Sequence, residues 1–109
     1  MFKNIIFILI LAISSTTFAA ESISNRKIID IGCHISSDTC FVTLSGPVFG
    51  SLENCTYTPT NEFRFSGGTT SGKRTYASLL TAFISKKTVD VYITGCYGGW
   101  ATLEFFHIR

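Results

Sequence analysis

The sequence predicts a small β-rich α+β domain with five or six short strands, one amphipathic helix and disulfide staples. Three observations predict it. Short β-branched and aromatic runs alternate with Gly, Pro, Ser and Asn clusters along most of the chain. One stretch, from Ser71 to Ser85, carries apolar residues at helical spacing. Four cysteines, Cys33, Cys40, Cys55 and Cys96, occur in a chain of 109 residues. A domain of that size buries a limited core and usually needs cross-links or partners.

Residues 1–19 read as a secretory signal peptide. Lys3 supplies a positive start, Ile5–Ile13 is an unbroken apolar run, and Thr17 and Ala19 occupy the small-residue positions for cleavage. The run is too short for a bilayer span of about 20 residues, and the rest of the chain holds no comparable segment. The expected product is a single exported domain, residues 20–109. Without Lys3 it has eight basic and seven acidic residues, a formal charge of +1. That balance argues against a nucleic-acid partner, which needs a concentrated basic surface.

In chain order, Glu21–Lys27 is polar and reads as a lead-in. Ile28–Cys33 is a first strand with Ile29 and Ile31 on one face, and Cys40–Ser45 is a second. The Ser36, Ser37 and Asp38 cluster forms the turn between them. Asn54–Thr58 and Glu62–Ser66 are two further strand candidates; in the latter, Phe63 and Phe65 alternate with Arg64. Ser71 is the expected N-cap of the helix. A helical wheel gathers Tyr76, Ala77, Leu79, Leu80, Phe83 and Ile84 into an inward arc. Thr75, Ser78, Ala82 and Ser85 fall on the outward arc, where small side chains would let a neighbouring helix approach. Lys86 and Lys87 close the helix, where cations suit its dipole. Thr88–Gly95 alternates cleanly, Gly95–Gly99 reads as a turn, and Trp100–Ile108 is the last strand. The helix face is needed to cover the sheet, so membrane insertion is not expected.

An even cysteine count in a short exported chain implies two disulfides. Spacings of 7, 15 and 41 residues offer no compact ligand pair for a metal, and no cofactor is implied. A tight hairpin between the first two strands would set Cys33 opposite Cys40. Cys55–Cys96 would then tie the middle of the chain to the end of the helix–strand unit. Cys33–Cys96 with Cys40–Cys55 remains the open alternative.

Several stretches carry a resemblance: KIIDI and CFVTLS as the first two strands, Cys55 soon after, and YASLLTAFISKKTVDVYI as a helix-plus-strand unit. With Gly72-Lys73 opening the helix and Gly95-Cys96 ending the next strand, the chain resembles small secreted bacterial proteins. Among these it is most similar to the B subunits of bacterial A–B toxins of the subtilase-cytotoxin, typhoid-toxin and pertussis-like kind. The resemblance implies an OB-like barrel that assembles as a homopentamer. It also implies binding to cell-surface glycans, often sialylated, and delivery of an enzymatic A subunit. It places Ser24 at the position of a sugar-contacting serine, although Ser22 and Ile23 stand where the typhoid type carries an aromatic residue.

From the residues themselves, Tyr97 and Trp100 beside three glycines could form a platform for a sugar ring. Arg64 could pair the carboxylate of an acidic sugar. The histidines, His34 and His107, belong to no motif joining a nucleophile, a base and an orienting carboxylate, so no enzymatic activity is expected. Two roles from different classes follow: an oligomeric receptor-binding toxin subunit in which Thr75, Ser78, Ala82 and Ser85 meet a neighbour, or a stand-alone secreted or periplasmic binding or inhibitor module.

Overall fold

The structure, a computed structural model, describes residues 20–109; the signal-peptide segment lies outside the described residues. Five strands and one helix follow in the order β1 (Ala20–Cys33), β2 (Thr39–Leu44), β3 (Glu62–Ser66), α1 (Thr70–Ile84), β4 (Thr88–Tyr97) and β5 (Trp100–Ile108). All pairings are antiparallel, and the sheet runs β3-β2-β1-β4-β5. β1 is shared between two halves: Ala20–Lys27 pairs with β4, and Ile28–Cys33 pairs with β2. The two edge strands, β3 and β5, come within close Cα range of each other without a hydrogen-bonded ladder. The sheet therefore curls into a partly open, OB-like barrel, and α1, which follows β3 and precedes β4 in the chain, packs across β1.

Alternation decides the core. Val42, Leu44, Phe63, Val89 and Ile93 point inward from three strands and are fully buried, together with Leu79 of α1. Each contributes about 1.5–3 kcal/mol relative to exposure. Both disulfides form as Cys33–Cys40 and Cys55–Cys96. Cys33 and Cys40 are register partners closing the β1–β2 hairpin. Among the described residues no helix is long and apolar enough to cross a membrane.

Four expectations about strands and turns need correction. The polar segment Glu21–Lys27 is not a lead-in but the first half of β1. Pairing to β4 makes it a strand, and the register shift between Ile23 and Arg26 inserts a bulge at which Asn25 adopts φ +58°. Within the second half of β1 the core takes Ile28, while Ile29 is exposed and Ile31 only packs against the cluster, because a second irregularity falls between Ile28 and Asp30. Asn54–Thr58 is not a strand. Asn54 has φ +55°, and Cys55 and Thr58 close a local turn through the Thr58 hydroxyl. Gly95–Gly99 is not one turn: β4 continues to Tyr97 past an irregularity containing Gly95, and the hairpin turns at Gly98 and Gly99 alone. Their φ values of +60° and +90° suit a two-residue connection.

The helix begins two residues earlier than expected. Thr69, not Ser71, is the N-cap, its hydroxyl accepting from the Gly72 N–H at 2.9 Å. At the other end Ile84 is the last helical residue and Ser85 the C-cap. The Lys86 N–H then donates to the Phe83 carbonyl and the Lys87 N–H to Ala82, with Lys86 at φ +57°. This is a Schellman closure that tolerates a lysine where glycine is usual. The buried line of α1 is Gly72, Leu79 and Ala82. Ala82, expected on the outward arc, is 1% exposed, whereas Phe83 and Ile84 are 39% and 69% exposed. The wheel is rotated because Gly72 lies against the Ser66 carbonyl at the end of β3 and fixes which side of the helix faces the barrel.

Candidate functional site

The outer surface of the β1–β4–β5 unit carries the most site-like arrangement. Along β4, Val89, Val91 and Ile93 face the core, so Asp90 and Tyr92 face outward. Cross-strand register sets Asp90 opposite His107 and Tyr92 opposite Phe105. The Tyr92 and Phe105 rings stack at 4.8 Å with only 7° between planes, and His107 continues the row 5.8 Å from Phe105. On the other side of β4, Ser22 is the partner of Tyr92, and the bulge at Asn25 sets the course of the neighbouring Ser24. Ser22, Ser24, Asp90, Tyr92, Phe105 and His107 line one surface cleft of about 170 Å³.

Electrostatics in the cleft are organised by Asp90. Its Oδ1 accepts the Asn25 N–H at 2.7 Å, and its Oδ2 pairs with the Arg109 guanidinium at 2.5 Å. The Asn25 N–H, then Arg109 and His107, hold its carboxyl below the usual range, against a smaller opposing effect of desolvation. Serine, histidine and aspartate therefore meet in one cleft without being wired for proton transfer. Both Asp90 oxygens are committed to Asn25 and Arg109, so the carboxylate fixes a backbone bulge instead of orienting an imidazole. What the cleft offers is a flat aromatic face, two hydroxyls and a fixed carboxylate, with the Arg109 guanidinium outside its lining but paired to that carboxylate.

The other sequence-identified residues assemble elsewhere. Arg64 on β3 lies 4.2 Å from the centroid of the Trp100 ring on β5 and 5.7 Å from that of Phe41 on β2. Its Nε donates to Glu62 at 2.6 Å. Tyr57 stacks on Trp100 at 5.1 Å, and its N–H donates to the Gly99 carbonyl at 2.8 Å. Because β3 and β5 share no ladder, the Arg64–Trp100 contact bridges the open seam of the barrel. A cation–π contact of this kind contributes about 0.5–2 kcal/mol. Tyr97, the register partner of Trp100 at the hairpin end, is half-buried. Arg64, Tyr97 and Trp100 thus do not line the Ser24 cleft.

Of the four residues picked from sequence for ligand contact, the cleft takes Ser24 alone. Tyr92, Phe105, His107 and Asp90 were missed. Their signal was the outward half of each strand's alternation, which marks exposed aromatics but cannot say that two of them stack across strands. The chain matches no family model, no curated protein and no solved structure.

Proposed function

We propose that the protein is a secreted, non-enzymatic, glycan-binding module of the toxin B-subunit kind. The observation that carries the reading is the Tyr92–Phe105 stack on the outer sheet face, flanked in one cleft by Ser22, Ser24 and Asp90. Sugar rings present a C–H face and a rim of hydroxyls. The half-exposed Tyr92–Phe105 pair takes the first and the two serine hydroxyls take the second. Arg109, largely exposed beside Asp90, suits the carboxylate of a sialylated glycan. Two disulfides fit an oxidising compartment, so export through the periplasm is part of the reading.

Binding is tested by presenting the mature protein to a glycan array and titrating the best ligand. Phe105→Ala is expected to weaken binding tenfold or more through loss of the stacking face, and Ser24→Ala by about tenfold, the worth of one hydrogen bond. Trp100→Ala should leave the affinity of the folded protein within about twofold. An array silent to sialylated and neutral glycans alike would remove the sugar reading.

Assembly as a homo-oligomer is the second part of the reading, with an enzymatic A subunit as the expected cargo of a pentameric ring. Ser78, Thr81, Ala82, Ser85, Lys87 and Ile108 line a groove of about 310 Å³ on one flank of α1. The exposed Phe83 and Ile84 lie beside it. A small-residue groove and apolar knobs on one helix suit a head-to-tail contact, the type that closes into rings. Ala82 contributes only the floor. Native mass spectrometry should show Ser78→Glu as a folded monomer and the wild type as an oligomer. A wild type that stays monomeric at every concentration would leave a stand-alone binding module.

A further inference from the structure

The connection between β2 and β3, residues 45–61, is held to the barrel at several points. Phe49 and Thr60 exchange both backbone hydrogen bonds, Arg26 donates to the Ser45 and Pro47 carbonyls, and Cys55 is bonded to Cys96. One tether differs in kind. The Gly50 N–H donates to Glu21 Oε1 of β1 at 2.8 Å, and three residues on, Glu53 turns its own carboxyl into the protein. Glu53 is only 9% exposed, and neither of its carboxyl oxygens meets an N–H or O–H donor. Its backbone carbonyl lies 3.9 and 3.8 Å from the two sulfurs of the Cys55–Cys96 bridge, which carry no proton to give.

Among the described residues, the charged group facing Glu53 is the Glu21 carboxyl of β1; from β4 it meets the Cys55–Cys96 disulfide, which does not titrate. The ion pairs among the described residues are Arg64–Glu62 and Arg109–Asp90, so no basic side chain neutralises either Glu21 or Glu53. Arg26, the cation nearest along β1, is spent on two carbonyls. A buried carboxyl beside a half-buried one ionises only at a cost, and the two attract only when a proton sits between them.

We propose that Glu53 keeps its proton in mild acid, and that its O–H···O bond to Glu21 is a latch fastening the 45–61 connection to the start of β1. With the proton in place the orphaned Glu53 oxygens gain their partner. Without it, two carboxylates repel beside the disulfide, and the connection and the first residues of β1 loosen together. The latch is independent of what the protein binds, although Ser22 and Ser24 lie on the strand segment it fastens.

Burial, then hydrogen bonding to and repulsion by Glu21, push the Glu53 carboxyl from 4.5 to about 7. The folded state therefore keeps a proton that the unfolded chain releases above its ordinary carboxyl range. Stability from this group is complete below that range, falls as pH rises through it, and levels off above the folded value. The slope is at most tenfold in the unfolding equilibrium constant per pH unit for one proton.

Two measurements on the mature, disulfide-intact protein test the latch. Denaturant unfolding between about pH 5 and pH 8 should show the wild-type equilibrium constant rising on the order of 100-fold. Glu53→Gln, whose amide can donate to Glu21 at any pH, should lose most of that dependence. Carboxyl-carbon NMR of the wild type should give a Glu53 midpoint near neutrality. Parallel pH curves for the two proteins, or an ordinary carboxylate midpoint, would overturn the proposal. So would stabilisation of the wild type by calcium at about pH 8 that Glu53→Gln abolishes, because the site would then hold a cation and not a proton.

Discussion

Replacing Cys55 and Cys96 together by alanine is expected to lower stability by about 4 kcal/mol, against about 2.5 kcal/mol for replacing Cys33 and Cys40. The difference comes from loop length, because the bridges span 41 and 7 residues. Closing the longer loop removes more freedom from the unfolded chain. Cys33–Cys40 also joins residues that the β1–β2 register already sets opposite each other, so part of its constraint is duplicated by strand pairing. Cys55 has no such support. It sits outside the strands, and without the bridge the middle of the 45–61 connection is held by the Phe49–Thr60 exchange, the Tyr57–Gly99 hydrogen bond and side-chain tethers, with Ser45–Lys27 and Leu44–Asn61 backbone bonds at its two ends. Set against a total of roughly 5–13 kcal/mol for 90 residues, 4 kcal/mol is a large share. Thermal melts should therefore show a drop of roughly 20 °C for the Cys55/Cys96 variant. Equal drops for the two variants would contradict this ordering.

Where the sequence could be read, a local pattern coincided with the tertiary one. Glu62–Ser66 is a strand at the expected residues because Phe63 and Phe65 both reach the core and Arg64 does not. Val89, Val91 and Ile93 behave the same way on β4. The first half of β1 failed for the converse reason. Ile23 and Ile28 are both buried although five residues apart, an odd spacing that alternation forbids and that only the bulge between them permits. With two inward residues hidden by a parity change, AESISNRK looks like a linker. The helix failed differently. Its apolar residues were counted correctly, but a wheel knows nothing of the surface beneath it, and α1 rests on the end of β3 at a glycine with no room for a Cβ.

The same limit shaped the candidate site. Ser24 entered through resemblance, and its surroundings entered through register. Tyr92 and Phe105 are 13 residues apart in sequence and become a 4.8 Å stack only because β4 and β5 pair with irregularities on both sides of Ile93. Arg64 and Trp100 show the reverse. Residue chemistry marked both for a ligand, and the fold turns them toward each other across the β3–β5 seam. A half-buried arginine and a half-buried tryptophan satisfy each other as readily as they satisfy a sugar.

Gly72→Ala is expected to destabilise the protein by about 3 kcal/mol, the reverse of what helix propensity alone dictates. In a helix, alanine gains about 1 kcal/mol over glycine. Here a Cβ would overlap the Ser66 carbonyl oxygen and come 2.9 Å from the Thr69 hydroxyl that caps the helix. The main obstacle is backbone, not a flexible side chain. Ser66 ends β3 and is held in register opposite Thr39 of β2, so relief requires either unpairing the end of β3 or lifting α1. Lifting α1 uncovers Leu79 and Ala82, the two side chains with which the helix closes the core. Exposing Leu79 alone costs about 2 kcal/mol, and overpacking against fixed backbone costs a further 1–3 kcal/mol. Sterics outweigh propensity. Ser71→Ala, one residue away and exposed, serves as the control and should change stability by less than about 0.5 kcal/mol. Denaturant midpoints for the two variants decide the matter. A Gly72→Ala protein as stable as the wild type would mean that α1 does not rest on the end of β3, and the rotation that buries Ala82 and leaves Phe83 and Ile84 in solvent would fall with it.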